Sequence, residues 1–353
     1  MKTLRRFVAE TPDVPMATAW YLADLAEARV KQELFTRQSP QRLKTLREHA
    51  IIESTVSSNK IEGIEIEASR VRAVVLGKSA LRDRNEEEVR GYRDALKQIH
   101  ESGGRLAVSE ETIRELHRLS RGKVGDAGQY KTKDVDIIET YPDGRSRVRF
   151  RSVPAKETPR AMSELVSLWE RALDSRRTHP LLALAAFNLD FLCIHPFGDG
   201  NGRVSRLLLL LQSYQVGFEV GRYISLERVI EENKDRFYES LQESSEVWHE
   251  SRHNPWPYVN YLLFVLKTAC QEFEDRVGHV KAPRGEKTTL IVTAIDRFPT
   301  EFTLADLERA CPGVSRDMIR RILGDLRRAR RVTCIGRGPG APWRKEGNTS
   351  KRG

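Results

Sequence analysis

His195-Pro196-Phe197-Gly198-Asp199-Gly200-Asn201-Gly202-Arg203-Val204-Ser205-Arg206 sets an imidazole, a carboxylate, an amide, three glycines and two guanidinium groups within twelve residues. Apolar helical stretches flank it, 181–194 before and 204–211 after, so the polar cluster reads as a loop gripped between two buried helices. A loop held that way is rigid enough for chemistry. Residues 200–202 stand directly before an apolar-periodic run, so their N–H groups open a helix whose positive dipole end and unpaired donors suit an anion. Arg203 and Arg206, three apart on the first turn, can grip separate phosphate oxygens with planar forks. Asp199 offers the hard oxygen that Mg²⁺ takes when it is shared with phosphates. His195, with an unperturbed pKa of about 6.5, can accept a proton from an incoming hydroxyl. Pro196 ends the preceding helix and Phe197 anchors the loop. Taken singly, these residues read as a cap or a turn. Their combination points to a metal-nucleotide site.

Nine of the twelve positions fit His-Pro-Phe-x-Asp-Gly-Asn-Gly-Arg-x-x-Arg, and a chance match in a chain of this length is on the order of 10⁻⁹. The stretch resembles the signature of the Fic (Fic/Doc) family. The resemblance implies a protein adenylyltransferase that moves AMP from ATP onto a Ser, Thr or Tyr hydroxyl of a target protein and releases pyrophosphate. It implies His195 as the base, Asp199 as the Mg²⁺ ligand, and the amides around Gly200, Asn201 and Gly202 with Arg203 as the α- and β-phosphate site. Arg206 would take the γ-phosphate. Some members transfer UMP, phosphocholine or phosphate instead; the complete signature favours AMP.

Upstream, Ser58-Asn59-Lys60-Ile61-Glu62-Gly63 reads by itself as an ordinary helix ending. In Fic proteins a Ser-x-x-x-Glu-Gly helix is an inhibitory element. The resemblance implies that Glu62, with Ser58 beside it, pairs with Arg206, displaces the γ-phosphate and turns the α-phosphate of bound ATP from attack. The same carboxylate could in another state activate water and remove AMP. Dimerisation that tightens this brake is a further expectation from the resemblance.

Alternating runs around an Asp-Gly turn, 134–138 and 148–151, predict a β-hairpin. By resemblance it is the flap that adds a strand to an extended target segment. Phe237-Tyr238 corresponds to an aromatic pair that borders adenine in the family, commonly Tyr-Tyr, so one hydroxyl is absent here. Ser245 is a further nucleotide contact by the same reading.

The 353 residues, 39% hydrophobic and 31% charged, describe a soluble chain of two or three domains. No apolar run nears the roughly 20 residues that cross a bilayer, and MKTLRRFVAE lacks a signal-peptide core; a cytoplasmic location without membrane contact is expected. Cys193, Cys270, Cys311 and Cys334 show no paired ligand spacing, which argues against structural zinc.

Helical patterns cover 16–35, 40–57, 85–101, 110–119, 159–175, 181–194, 203–214, 226–243 and 258–277. The expected fold is mainly α, a Fic-type helical bundle with a β-hairpin flap and a small C-terminal winged helix. The expected domains are a helical region with the inhibitory helix (1–105), a catalytic domain (106–280) and, after a linker at 281–285, a winged helix-turn-helix (285–345). The last reading rests on helices at 286–298, 303–310 and 315–330 and a strand at 332–335 leading to Trp343. Residues 314–345 carry ten basic side chains against Asp317 and Asp325, which is +8 of the net +10. Seven arginines belong to the third helix once Arg331 at its end is counted, so DNA is a candidate partner through 285–345. A competing functional class is therefore a DNA-binding transcriptional regulator, or an antitoxin-like protein, with a nucleotide-sensing Fic domain.

Overall fold

The computed structural model describes residues 2–346 except 37–39, 78, 123–124, 141–144, 176, 279–285, 299, 312–313, 337 and 339. The tip of the expected hairpin and the expected linker therefore lie outside the described residues. The fold is mainly helical and divides into two units, Met1–Val277 and Gly278–Gly353.

In the first unit the helices are α1 (Thr3–Ala9), α2 (Met16–Thr36), α3 (Pro40–Ile61), α4 (Ala68–Val75), α5 (Arg84–Ser102), α6 (Glu110–Arg121), α7 (Thr158–Ser175), α8 (Pro180–Ile194), α9 (Asn201–Gln215), α10 (Leu226–Glu232), α11 (Lys234–Ser245) and α12 (Trp256–Gly278). At its centre lie α8 and α9, buried on every side. That follows from their sequences: α8 is almost wholly apolar and α9 carries five consecutive leucines, Leu207–Leu211, and a helix apolar on several faces must be enclosed. Pro180 starts α8 at a position where a missing N–H costs nothing. Strands β1 (Asp136–Thr140) and β2 (Ser146–Arg151) form an antiparallel hairpin between α6 and α7 with a bulge at Ile137/Ile138. Ile137 opposes Phe150, and Ile138 opposes Val148 on the other face.

The second unit contains α13 (Glu286–Arg297), β3 (Glu301–Phe302), α14 (Leu304–Ala310), α15 (Arg316–Arg328), β4 (Val332–Cys334) and β5 (Trp343–Lys345). Its sheet is antiparallel in the order β3-β5-β4. Ile291, Phe302, Leu307, Ile319, Ile322, Leu323 and Val332 make its core. Thr303 and Asp306 close a reciprocal capping box on α14.

Several boundaries differ from the sequence expectations. The stretch 226–243 is two helices, because Asn233 leaves helical geometry (φ −119°, ψ 34°) and its side chain donates to the Val229 carbonyl at 2.8 Å. The third helix of the second unit stops at Arg328. Arg331 N–H donates to Leu326 O (2.9 Å) and Arg330 N–H to Arg327 O (3.0 Å), with Arg330 left-handed at φ 55°, which is a Schellman ending. Five arginines thus lie on α15, with Arg330 and Arg331 beyond it. Helices α1 and α4 and strand β3 were not expected. Helix α1 exists through a distant partner: the buried Asp190 carboxylate of α8 accepts from the N–H groups of Thr3 (3.1 Å) and Leu4 (2.9 Å). No helix among the described residues is long and apolar enough to cross a membrane.

Candidate functional site

Helix α8 ends on His195, which takes up a left-handed backbone (φ 52°, ψ 62°) and donates its N–H to Phe191 O at 2.9 Å. That conformation costs a residue with a side chain on the order of 1 kcal/mol or more, so its surroundings must enforce it. Lys131 grips the turn: its backbone N–H donates to Pro196 O (2.9 Å) and its ammonium to Ile194 O (3.1 Å) and Ser152 Oγ (2.6 Å). Burial pushes the His195 imidazole down to about 4, helped by the Lys131 ammonium and opposed by the Leu192 carbonyl and the Glu62 and Asp199 carboxylates. The ring's Nδ1 is buried without a hydrogen-bond partner. A neutral imidazole in this position is ready to take a proton.

The rest of the loop is built from the core outward. Phe197 is fully buried and stacks on His117, ring centroids 3.8 Å apart at 6°. His117 Nδ1 accepts from Gly128 N–H (2.9 Å), so its proton sits on Nε2, which donates to Asp199 O (3.0 Å). Burial holds this imidazole near 4, and it stays neutral. The Asn201 side chain clamps Phe197 by accepting from its N–H and donating to its carbonyl, both at 2.9 Å. Replacing Phe197 by Ala is expected to lower unfolding stability by about 3–5 kcal/mol. Urea denaturation checks this, and a loss under about 1 kcal/mol would show that the loop is anchored elsewhere.

Four charged residues back the loop. Asp199 accepts from Arg121 (2.6 Å) and from Gly200 N–H (2.6 Å). Burial alone would raise its carboxyl pKa, but Arg121 and the Gly200 amide hold it below the usual value. The Asp199 side chain remains 57% exposed, whereas Arg203 is 1% exposed and forms a buried pair with Glu88. Arg203 also donates to Ser120 O at 3.3 Å. Its guanidinium is thus engaged behind the loop. One exposed hard carboxylate beside a helix N-terminus fits Mg²⁺ carried in by a nucleotide. Among the described residues no three His, Cys, Asp or Glu side chains converge on a point that would hold an ion by themselves.

On the other side of the helix start, Arg206 of α9 is buried. Its Nε donates to Ser58 Oγ (2.8 Å) and its Nη2 to Ser58 O (2.9 Å) and Glu62 Oε1 (2.8 Å). Burial would lower the guanidinium pKa, but the Glu62 carboxylate beside it holds it above its usual value. Gly202 lies directly beneath: a Cβ there would fall 2.3 Å from Glu62 Oε1. The carboxylate therefore rests on the opening turn of α9, where the free N–H groups favour an anion.

A cavity of about 220 Å³ opens here, and its lining includes Glu62, His195, Gly202, Arg206, Phe237, Tyr238 and Ser245. Ile137 and Phe150 of the hairpin and Leu192 and Cys193 of α8 contribute apolar wall. Arg149 of β2 donates to Tyr238 O at 2.8 Å and stands 5.6 Å above the Tyr238 ring, tying the hairpin to α11. Seven of the residues singled out in the sequence thus meet in one cavity. Ser58, Asp199, Gly200, Asn201 and Arg203 stand around it without lining it. Sequence reasoning missed Lys131, His117, Arg121, Glu88 and Arg149. Glu88 ends an ordinary Glu-Glu-Glu run, and the others are single residues in polar stretches, so no local pattern marked them.

A family model described as Fic/DOC family matches residues 107–213. A protein from Nematostella vectensis named Protein adenylyltransferase Fic is 29% identical over 168 residues, which is 46% of this chain and 37% of that protein. One of the same name from Aedes aegypti is 24% identical over 214 residues, 58% of this chain and 39% of that protein. The chain therefore spans about two fifths of the length of these relatives. A crystal structure of a Fic family protein from Desulfovibrio desulfuricans G20 aligns over 97% of this chain and 99% of its own, with TM-score 0.59 and 23% identity. At that identity the likeness establishes the fold.

Proposed function

We propose that this chain, whose residues 107–213 belong to the Fic/DOC family, is a protein adenylyltransferase held in check by its own Glu62. The observation that carries this reading is a neutral imidazole facing a helix N-terminus and a buried arginine across one cavity with an aromatic wall. ATP would set its base against Phe237, Tyr238 and Ser245 and its phosphates on the amides of 200–202. His195 then takes the proton of a target hydroxyl while that oxygen forms its bond to the α-phosphorus. The bond from the α-phosphorus to the bridging oxygen breaks, and pyrophosphate leaves. Mg²⁺, when bound, neutralises phosphate charge, and Asp199 is the residue to hold it once Arg121 yields that oxygen. Arg203, buried against Glu88, supports the loop from behind, and its contact with phosphate would need that pair to open. Positioning and charge neutralisation are what such transfers mainly require.

The inhibitory role follows from one seat having two claimants. Glu62 Oε1 on Arg206 and above Gly202 occupies the anion position that a terminal phosphate needs. In a productive state Glu62 withdraws; in another it could position water for AMP removal. Residues 1–105 would carry the brake and 106–280 the chemistry, with the hairpin as the flap that aligns the target segment. The test is labelling by ATP carrying radioactivity at the α- or γ-phosphate. Label retained on protein from the α position only supports AMP transfer, and label from the γ position would replace this reading with phosphate transfer.

A second activity is favoured by one observation in the C-terminal unit, whose element order suits a winged helix-turn-helix. Gly324 sits inside α15, where glycine costs about 1 kcal/mol relative to alanine, yet nothing stands within 4 Å of the place its Cβ would take. Packing gives no reason for it. Arg320, Arg321, Arg327 and Arg328, all exposed, surround it, so a phosphate backbone could approach the helix closely. Residues 285–345 would then bind DNA. In a mobility-shift series with the full chain, double-stranded DNA is expected to bind with an affinity that falls steeply with salt and weakens on Gly324→Glu. Salt-independent or absent binding would assign the arginines to another partner.

A further inference from the structure

We propose that Lys131 is a positioning residue that holds His195 in its working conformation and ties it to the flap; this rests on the adenylyltransferase reading above. Lys131 grips the carbonyls on both sides of His195, Pro196 O through its backbone N–H at 2.9 Å and Ile194 O through its ammonium at 3.1 Å. Ile194 O belongs to the peptide group that leads into His195, and Pro196 O to the one that follows the His195–Pro196 peptide, so the two bonds fix the backbone just before and just after the left-handed residue and with it the ring's direction. The ammonium bond is charge-assisted and buried, the stronger class of hydrogen bond.

The third contact of Lys131 leads to the hairpin. Its ammonium donates to Ser152 Oγ at 2.6 Å, just after β2, and the Ser152 hydroxyl donates in turn to the carbonyl of Val135, just before β1. Both ends of the hairpin are therefore tied to the group that holds His195. A target strand added to the hairpin would be registered against the base through this single side chain.

Lys131 also acts by charge. It is 7% exposed, and burial lowers its ammonium pKa to about 8, against the pull of Asp134 and Asp136, so at neutral pH it is largely protonated. The charged groups that face His195 are Lys131 from the segment before the hairpin, Glu62 from the end of α3 and Asp199 from the loop. Lys131 lowers the imidazole's proton affinity and the two carboxylates raise it. The lysine thus adds to the burial that keeps the base unprotonated.

Two variants of the full chain separate this role from a passive tie: Lys131→Met, which keeps the aliphatic stem, and Lys131→Arg, which keeps the charge. The readout is the NMR titration of the His195 imidazole, assigned by its loss in His195→Ala. Lys131→Met is expected to raise the His195 midpoint by about one pH unit, and Lys131→Arg to leave it within roughly 0.3. In a Glu62→Gly background, the acid limb of kcat/KM for AMP transfer should move with the midpoint. An unchanged midpoint in a folded Lys131→Met protein, with a rate lowered equally at every pH, overturns the proposal. Should Lys131→Met fail to fold, Ser152→Ala tests the link while leaving the charge. The expected result there, in the Glu62→Gly background, is a several-fold slower incorporation of label from α-labelled ATP into the chain itself with an unmoved acid limb, and an unchanged rate overturns the coupling. If Glu62→Gly transfers no AMP at all, the adenylyltransferase reading fails, while the titration still decides the electrostatic role of Lys131.

Discussion

Glu62→Gly protein incubated with α-labelled ATP is expected to incorporate label about a hundredfold faster than the unaltered chain. The estimate comes from the pair it breaks. Arg206 is 3% exposed and its carboxylate partner 27%, so the pair is partly screened and falls short of the roughly 3–5 kcal/mol of a fully buried pair. A contribution of about 2.7 kcal/mol is two decades in rate. Ser58 continues to hold two nitrogens of Arg206 after the change, so the guanidinium stays aimed while its third contact is vacated for phosphate. A thermal melt within a few degrees of the unaltered chain would show that the gain is not a product of loosening. Equal incorporation by the two proteins would remove autoinhibition from the account of this fold.

Adding His195→Ala to Glu62→Gly is expected to reduce incorporation by about three decades, which is what a positioned general base commonly supplies. ATP binding should survive, because on the proposed reading the phosphates rest on the start of α9 with Arg206 and the base against α11. Isothermal titration with ATP alongside the labelling assay separates the two effects. Retained labelling at more than a tenth of the rate would mean that the hydroxyl loses its proton elsewhere.

Much of this arrangement could be read from the chain itself, for particular reasons. Helix α8 is almost wholly apolar and α9 carries the unbroken run Leu207–Leu211, which only an enclosed position explains, and the polar residues between them therefore had to form a held loop. The hairpin announced itself by alternation. What stayed illegible depends on approaches that no local pattern encodes. The pairing of Glu88 with Arg203 joins residues 115 apart in sequence, and in the chain Glu88 looks like a solvated helix charge. Arg203 read as a phosphate ligand because the turn it occupies is right; its burial against α5 is a tertiary fact. The break at Asn233 has neither Pro nor Gly to mark it, and α1 is too short to show a period and depends on Asp190 for its start. Lys131 is the sharpest case, one of two lysines before a strand, whose importance lies in three acceptors from two other parts of the fold.

The bare α-carbon of Gly202 carries a consequence for how such a brake can be lost or kept. On the proposed reading catalysis and restraint share one seat on that residue, so a side chain there, which would meet Glu62 Oε1 at 2.3 Å, would evict the inhibitor and the substrate together. Mutation at the seat can only abolish both. Escape from inhibition with activity intact must arise on the α3 side, in Glu62 itself or in what presents it, such as the Lys60–Glu231 pair at 2.7 Å and the Lys234 contact with Ile61 O at 3.4 Å. On the proposed reading, a physiological signal that releases the brake would act on α3 or on what presents it, since the seat itself is shared.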